Sequence, residues 1–163
     1  VSIKPITSTN IEQAPEPKKV VAGRQEQIEN MLLELLLAHP ETRMVLDDII
    51  PGDMTEPNQD LFRALKKHPG FTTSQLTKIL PTDSERVNIL TLRGEHEYSS
   101  LNEHERGLEA FTQVHTVQKH IYSVKKRALS RLIAAAEQAG DLAQASELLQ
   151  QYQALVVSES TAL

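Results

Sequence analysis

NEHERGLEAFTQVHTVQKHIYSVKKRALSRLIAAAEQA, residues 102–139, decides the fold: thirty-eight residues without a proline and without a glycine after Gly107, closed by Gly140-Asp141. As one helix this stretch is roughly 57 Å long, whereas a compact globule of this chain length has a radius of gyration of about 15 Å. One end of it is therefore expected to project from whatever body the rest of the chain forms. Leu108, Phe111, Val114, Val117, Ile121, Val124, Ala128 and Leu132 predict one face buried along nearly the whole length. Asn102 and Glu105 have the identity and spacing of a capping box, which fixes where the helix starts.

Downstream, Gly140 suits the left-handed position that ends a helix, and Asp141 with Gln144 suits the start of another, expected to run to about Val157. So short a connection forces the two helices to pack antiparallel. Leu142, Ala145, Leu149, Tyr152 and Val156 are expected on one face of the last helix, with Leu148 and Leu155 widening its apolar arc to about 140°. Ala128, Leu129, Leu132, Ile133 and Ala136 present a similar arc on the long helix. Two helices touching only each other cannot cover arcs that wide, so the hairpin needs a partner. The candidate contacts are Gln144, Leu148, Gln151, Tyr152 and Leu155: leucines and an aromatic anchor supply affinity, and glutamines supply orientation.

Upstream the chain is punctuated by proline and caps. A first helix is expected over 25–39, with Ile28, Leu32, Leu35 and Leu36 inward and Met31, Leu33 and Leu37 widening the stripe until Pro40 stops it. A short helix over 41–49 is expected to bury Met44, Val45, Leu46 and Ile49 before the break at Pro51-Gly52-Asp53. A third, over 57–67, presents Leu61, Phe62 and Leu65. Thr72 to Gln75 is a capping box for a fourth helix with Leu76 and Ile79 inside, and Thr82 to Glu85 repeats the pattern for a fifth with Val87, Leu90 and Leu92. A loop is expected over 94–101. The domain reading is a flexible linker (1–24), a helical bundle (25–123), a C-terminal hairpin (124–157) and a small polar tail (158–163).

Three Phe, three Tyr and no Trp leave an aliphatic core, and the leucine- and alanine-rich composition without β-branched runs gives an all-α fold. The absence of cysteine excludes disulfides, thiolate metal sites and a cysteine nucleophile. No apolar run reaches the ~18 residues of a membrane span, no signal peptide is visible, and a cytoplasmic location is expected. A chain beginning at Val1 instead of Met suggests a piece of a longer protein.

Catalytic chemistry has no visible carrier: there is no Gly-rich phosphate loop and no GxSxG. His104 and His115 share a helix face about 16 Å apart, and His115 and His120 point different ways, so neither pair can chelate one ion. Asp47, Asp48 and Asp53 read as an acidic helix end, not a cation site. The expectation is a non-enzymatic chain with no metal and no cofactor. A net charge of -5 argues weakly against nucleic acid, yet the long helix has no acidic residue from Ala110 to Ala136 while carrying Lys119, Lys125, Lys126, Arg127 and Arg131. Lys119, Arg127 and Arg131 are the candidate contacts for phosphates or an acidic partner. His120, Arg127 and Arg131 line one row and Lys119 and Lys126 another, and no aromatic interleaves with the row to stack bases.

Residues 25–157 resemble a known family. The run Leu32-Leu33-Glu34-Leu35-Leu36-Leu37-Ala38-His39-Pro40-Glu41, then Asp60-Leu61-Phe62, then Phe71-Thr72-Thr73 with Leu76, and a long helix opening near Glu109-Ala110-Phe111 and ending in a hairpin, is similar to the C-terminal helicase-binding domain of bacterial DnaG-type primases. The resemblance implies a helical bundle and a hairpin that docks on the N-terminal domain of the hexameric replicative helicase, recruiting primase to the replication fork and modulating the helicase. It implies no primer synthesis by this stretch alone, since the family's zinc-binding and polymerase regions have no counterpart here. The same fold resemblance extends to the N-terminal domain of the helicase itself, which is the alternative, together with a single-stranded nucleic-acid-binding domain using the basic helix face.

Overall fold

The computed structural model describes residues 23–162. They form α1 (Arg24–Ala38), α2 (Glu56–Lys67), α3 (Thr73–Ile79), α4 (Ser84–Glu97), α5 (Glu103–Gln138) and α6 (Leu142–Ala162), with 3-10 segments at Pro40–Asp48, Pro51–Asp53 and Pro81–Asp83. No strand occurs among the described residues, and the fold is all-α. Of the expected linker only Gly23 and Arg24 are described, and Arg24 already opens α1; the rest lies outside the described residues.

The bundle is built around α1, which packs on α4, α5, α2 and the Pro40–Asp48 segment. Leu32, Leu33, Leu35 and Leu36 have no exposed surface, as a helix surrounded on most sides requires. Met31, expected inside, is exposed, because it shares the outer strip with Arg24 and Gln27. Pro40 ends α1, but the next nine residues wind as a 3-10 helix in which positions three apart eclipse. That period puts Arg43 and Leu46 inward and leaves Met44 and Asp47 outward. Met44 is accordingly exposed, against expectation, while Val45, Leu46 and Ile49 are buried. Buried Arg43 ties the segment down, donating to the carbonyls of Leu36 (2.8 Å), Pro69 (3.0 Å) and Phe71.

Glu29 is also fully buried. Its carboxylate accepts from the Thr55 backbone N–H at 2.7 and 3.1 Å and from the Thr55 hydroxyl at 3.1 Å, so α1 caps the start of α2 from outside. Leu61, Phe62 and Leu65 of α2 and Leu76 of α3 are buried as expected, and the capping box of Thr72 and Gln75 forms; Ile79 is exposed instead of inside. The second expected cap does not form. Pro81–Asp83 is a 3-10 turn, α4 starts at Ser84, and Asp83 makes no side-chain capping bond. Val87 and Leu90 are buried, but Leu92 is exposed.

The expected loop over 94–101 is helical as far as Glu97. Gly94 does not stop α4. A Cβ there would lie 1.9 Å from the Glu34 carbonyl oxygen and 2.8 Å from the Ala38 Cβ, so this glycine is the point where α4 crosses α1 in backbone contact.

Helix α5 starts at the expected capping box of Asn102 and Glu105 and runs unbroken to Gln138. Its buried face is Ala110, Gln113, Val114, Val117 and Ile121. Leu108, Phe111, Val124, Ala128 and Leu132, expected on that face, are exposed. The reason is helical drift: Leu108 and Val117 are separated by about two and a half turns and so lie on opposite sides. Beyond Ile121 the helix leaves the bundle, tied at its exit by Gln118 Nε2 donating to the Asp48 carbonyl (2.7 Å) and by a Lys125–Asp53 ion pair (3.1 Å).

Candidate protein interface

From Lys125, its last tie to the bundle, to Ala139 the free part of α5 is about 21 Å long. Its end is set by Gly140 at φ 72°, the single positive φ among the described residues. The Gly140 N–H donates to the Glu137 carbonyl and the Asp141 N–H to the Ala136 carbonyl, which is the Schellman pattern. Asp141 Oδ1 then accepts from the Gln144 N–H at 3.1 Å and opens α6 as expected. Three consecutive residues thus reverse the chain.

Helix α6 packs against α5 along one seam. The residues withdrawn from solvent on α6 are Ala145, Leu148, Tyr152, Leu155 and Glu159, and on α5 Tyr122, Lys126, Leu129, Ile133 and Ala136. Both sets alternate steps of three and four, the spacing of helices that pack at a shallow angle. Small Ala136 and Ala145 are the buried pair near the tip, and at the far end Lys126 pairs with Glu159 (2.6 Å) and Tyr122 bonds Ser158 (3.2 Å). The Glu159 hydrogen bond raises the Lys126 ammonium above its ordinary value. These contacts also correct the expected tail, because residues 158–162 continue α6 instead of leaving it.

The expected contact set divides across this geometry. Leu148, Tyr152 and Leu155 are half-buried in the seam, whereas Gln144 and Gln151 are exposed. Gln151 and Leu155 line a shallow trough with Lys125, Ala128, Leu129 and Ala154, and Tyr152 lines a second on the other side with Ile133 and Leu149. The residues missed are Leu142, Leu149 and Val156, expected to share the inner face with Ala145 and Tyr152. They are 74%, 47% and 41% exposed and recur every seven residues, a strip of their own on α6, with Leu132 of α5 also exposed. Their period was present in the sequence; what it lacked was which of two neighbouring strips faced α5.

Of the basic residues, Lys125 and Lys126 are held in ion pairs. Lys119, Arg127 and Arg131 are exposed and make no ion pair among the described residues. No group of three or more metal-ligating side chains is found among the described residues, and no described helix is long and apolar enough to cross a membrane. The hairpin presents apolar surface and hydrogen-bonding amides, the chemistry of protein recognition. The chain matches no protein-family model, no curated protein and no solved structure.

Proposed function

We propose that this chain is the helicase-binding C-terminal domain of a bacterial DNA primase, a cytoplasmic, non-catalytic module that docks through its hairpin on the N-terminal domain of the hexameric replicative helicase. The observation that carries the reading is the hairpin itself. Two helices project beyond the bundle, cover each other along one seam, and leave Leu132, Leu142, Leu149 and Val156 in solvent. The resemblance of residues 25–157 to primases supplies the identity of the partner, and the uncovered apolar strip supplies a reason for the partner to bind.

The test is a calorimetric titration of the chain with the isolated helicase N-terminal domain. Leu142→Ser and Leu149→Ser should each weaken binding by about 1 to 3 kcal/mol while leaving the unfolding midpoint nearly unchanged. Saturable binding that both substitutions leave intact would remove the strip from the interface. A second reading rests on the unpaired Lys119, Arg127 and Arg131: if the helicase domain does not bind and single-stranded DNA does, with affinity falling steeply as salt rises, the nucleic-acid reading replaces the first.

A further inference from the structure

At the opposite end of α5 from the hairpin, the first turns of the helix and the Pro40–Asp48 segment enclose a groove of about 770 Å³. Its apolar lining includes three of the large exposed hydrophobics of the bundle, Met44 (74% exposed), Leu108 and Phe111. Glu103 and Asp48 stand among the lining residues and neither makes an ion pair among the described residues; Glu41 is already matched by Arg106 at 2.8 Å. No lysine or arginine lines the groove.

One wall contains Gly107, in the second turn of a thirty-six-residue helix, where glycine costs about 1 kcal/mol relative to alanine. Nothing among the described residues asks for it. A Cβ at Gly107 would meet no atom within 4 Å, in contrast to Gly94, whose Cβ would strike the backbone of α1. The space a side chain would fill opens into the groove, so the bare backbone lets another chain approach α5 closely.

We propose that this groove is a docking site for a basic, apolar-anchored peptide segment of a partner protein, separate from the hairpin surface. The commitment to a basic segment follows from the carboxylates of Asp48 and Glu103, which have no cation partner among the described residues and stand beside apolar side chains. Met44 can repack around different anchors, as flexible thioethers do at adaptable binding surfaces. From Glu103 to Phe111 the wall is about 12 Å long, room for two turns of a bound helix or four residues of a bound strand.

The experiment uses the full chain and a fluorescent synthetic helix of about 15 leucine and lysine residues, roughly 22 Å long, with the leucine and glutamate version as its control. The lysine peptide should bind saturably, and more weakly as salt rises. The deciding variant is Gly107→Leu, which fills the groove while improving helix propensity. It should raise the melting temperature and weaken the peptide by at least about tenfold. Asp48→Lys with Glu103→Lys should weaken it by a similar factor and leave the fold intact by circular dichroism. Equal affinity of the lysine peptide for wild type and Gly107→Leu would overturn the proposal, as would equal binding of the glutamate peptide. Self-association of the chain that Gly107→Leu abolishes would overturn it in favour of a second copy as occupant. Since Gly107 and Glu103 share the groove with no residue of α6, failure of Gly107→Leu here leaves the proposed helicase docking by the hairpin untouched.

Discussion

In the bundle, Leu32, Leu33, Leu35 and Leu36 have no exposed surface and sit among α2, α4, α5 and the Pro40–Asp48 segment, whereas in the hairpin no leucine is buried and the small residues Ala136 and Ala145 are. The two regions draw on the same residue types. What differs is the number of neighbours each helix has. A helix enclosed by several others converts a wide apolar arc into stability; a helix with one neighbour keeps much of that arc in water, where it is available to another protein. Stability is therefore concentrated in the bundle, and on the proposed reading recognition falls to the hairpin.

The comparison breaks most visibly at the crossing of α1 and α4. Gly94→Ala places a Cβ against backbone atoms that cannot swing aside, and is expected to cost roughly 3 kcal/mol or more, read as a lowered urea midpoint for the whole bundle. In the hairpin seam, Leu148→Ala removes a half-buried side chain and should cost only about 1 kcal/mol, with faster amide exchange confined to residues 125–160 and bundle amides unchanged. Global loss of protection in that variant would mean the hairpin and bundle unfold as one unit.

The smallest effect concerns the buried carboxylate. Burial raises the Glu29 carboxyl above its ordinary value of 4.5, outweighing the Thr55 hydrogen bonds that lower it. Between 4.5 and that raised value the folded state holds a proton the unfolded state has released, so this group's contribution to stability falls as pH rises through the window. Glu29→Gln should remove that slope, and the difference in unfolding free energy between variant and wild type should drift in the variant's favour as pH increases above 4.5.

Most features fixed within four or five residues were legible in the sequence, the cap expected over Thr82 to Glu85 being the exception, since a 3-10 turn after Pro81 starts α4 at Ser84 instead. The capping boxes of Thr72 and Gln75 and of Asn102 and Glu105, the stop at Pro40 and the turn at Gly140 all lie where local chemistry puts them. Features fixed by a neighbour were not. Gly94 looks like a terminator until α1 is placed beside it, and the outward turn of Met44 depends on a 3-10 winding that helical periodicity does not anticipate. The stripe from Leu108 to Leu132 joined two faces, because successive steps of three residues drift around the helix. At the candidate interface the chain reversal, the antiparallel seam and the surplus of apolar surface were legible. The rotation of α6 was not, since Leu148 and Leu149 are adjacent and equally apolar, and contact with α5 alone decides which of them turns inward.

Helix α5 belongs to both regions without a break at the point where it leaves the bundle. Mechanically it is a lever. With a free arm of about 21 Å, a tilt of some 10° at the bundle carries the Gly140 tip through nearly 4 Å. Whatever grips the tip can therefore feel small rearrangements among helices it never touches.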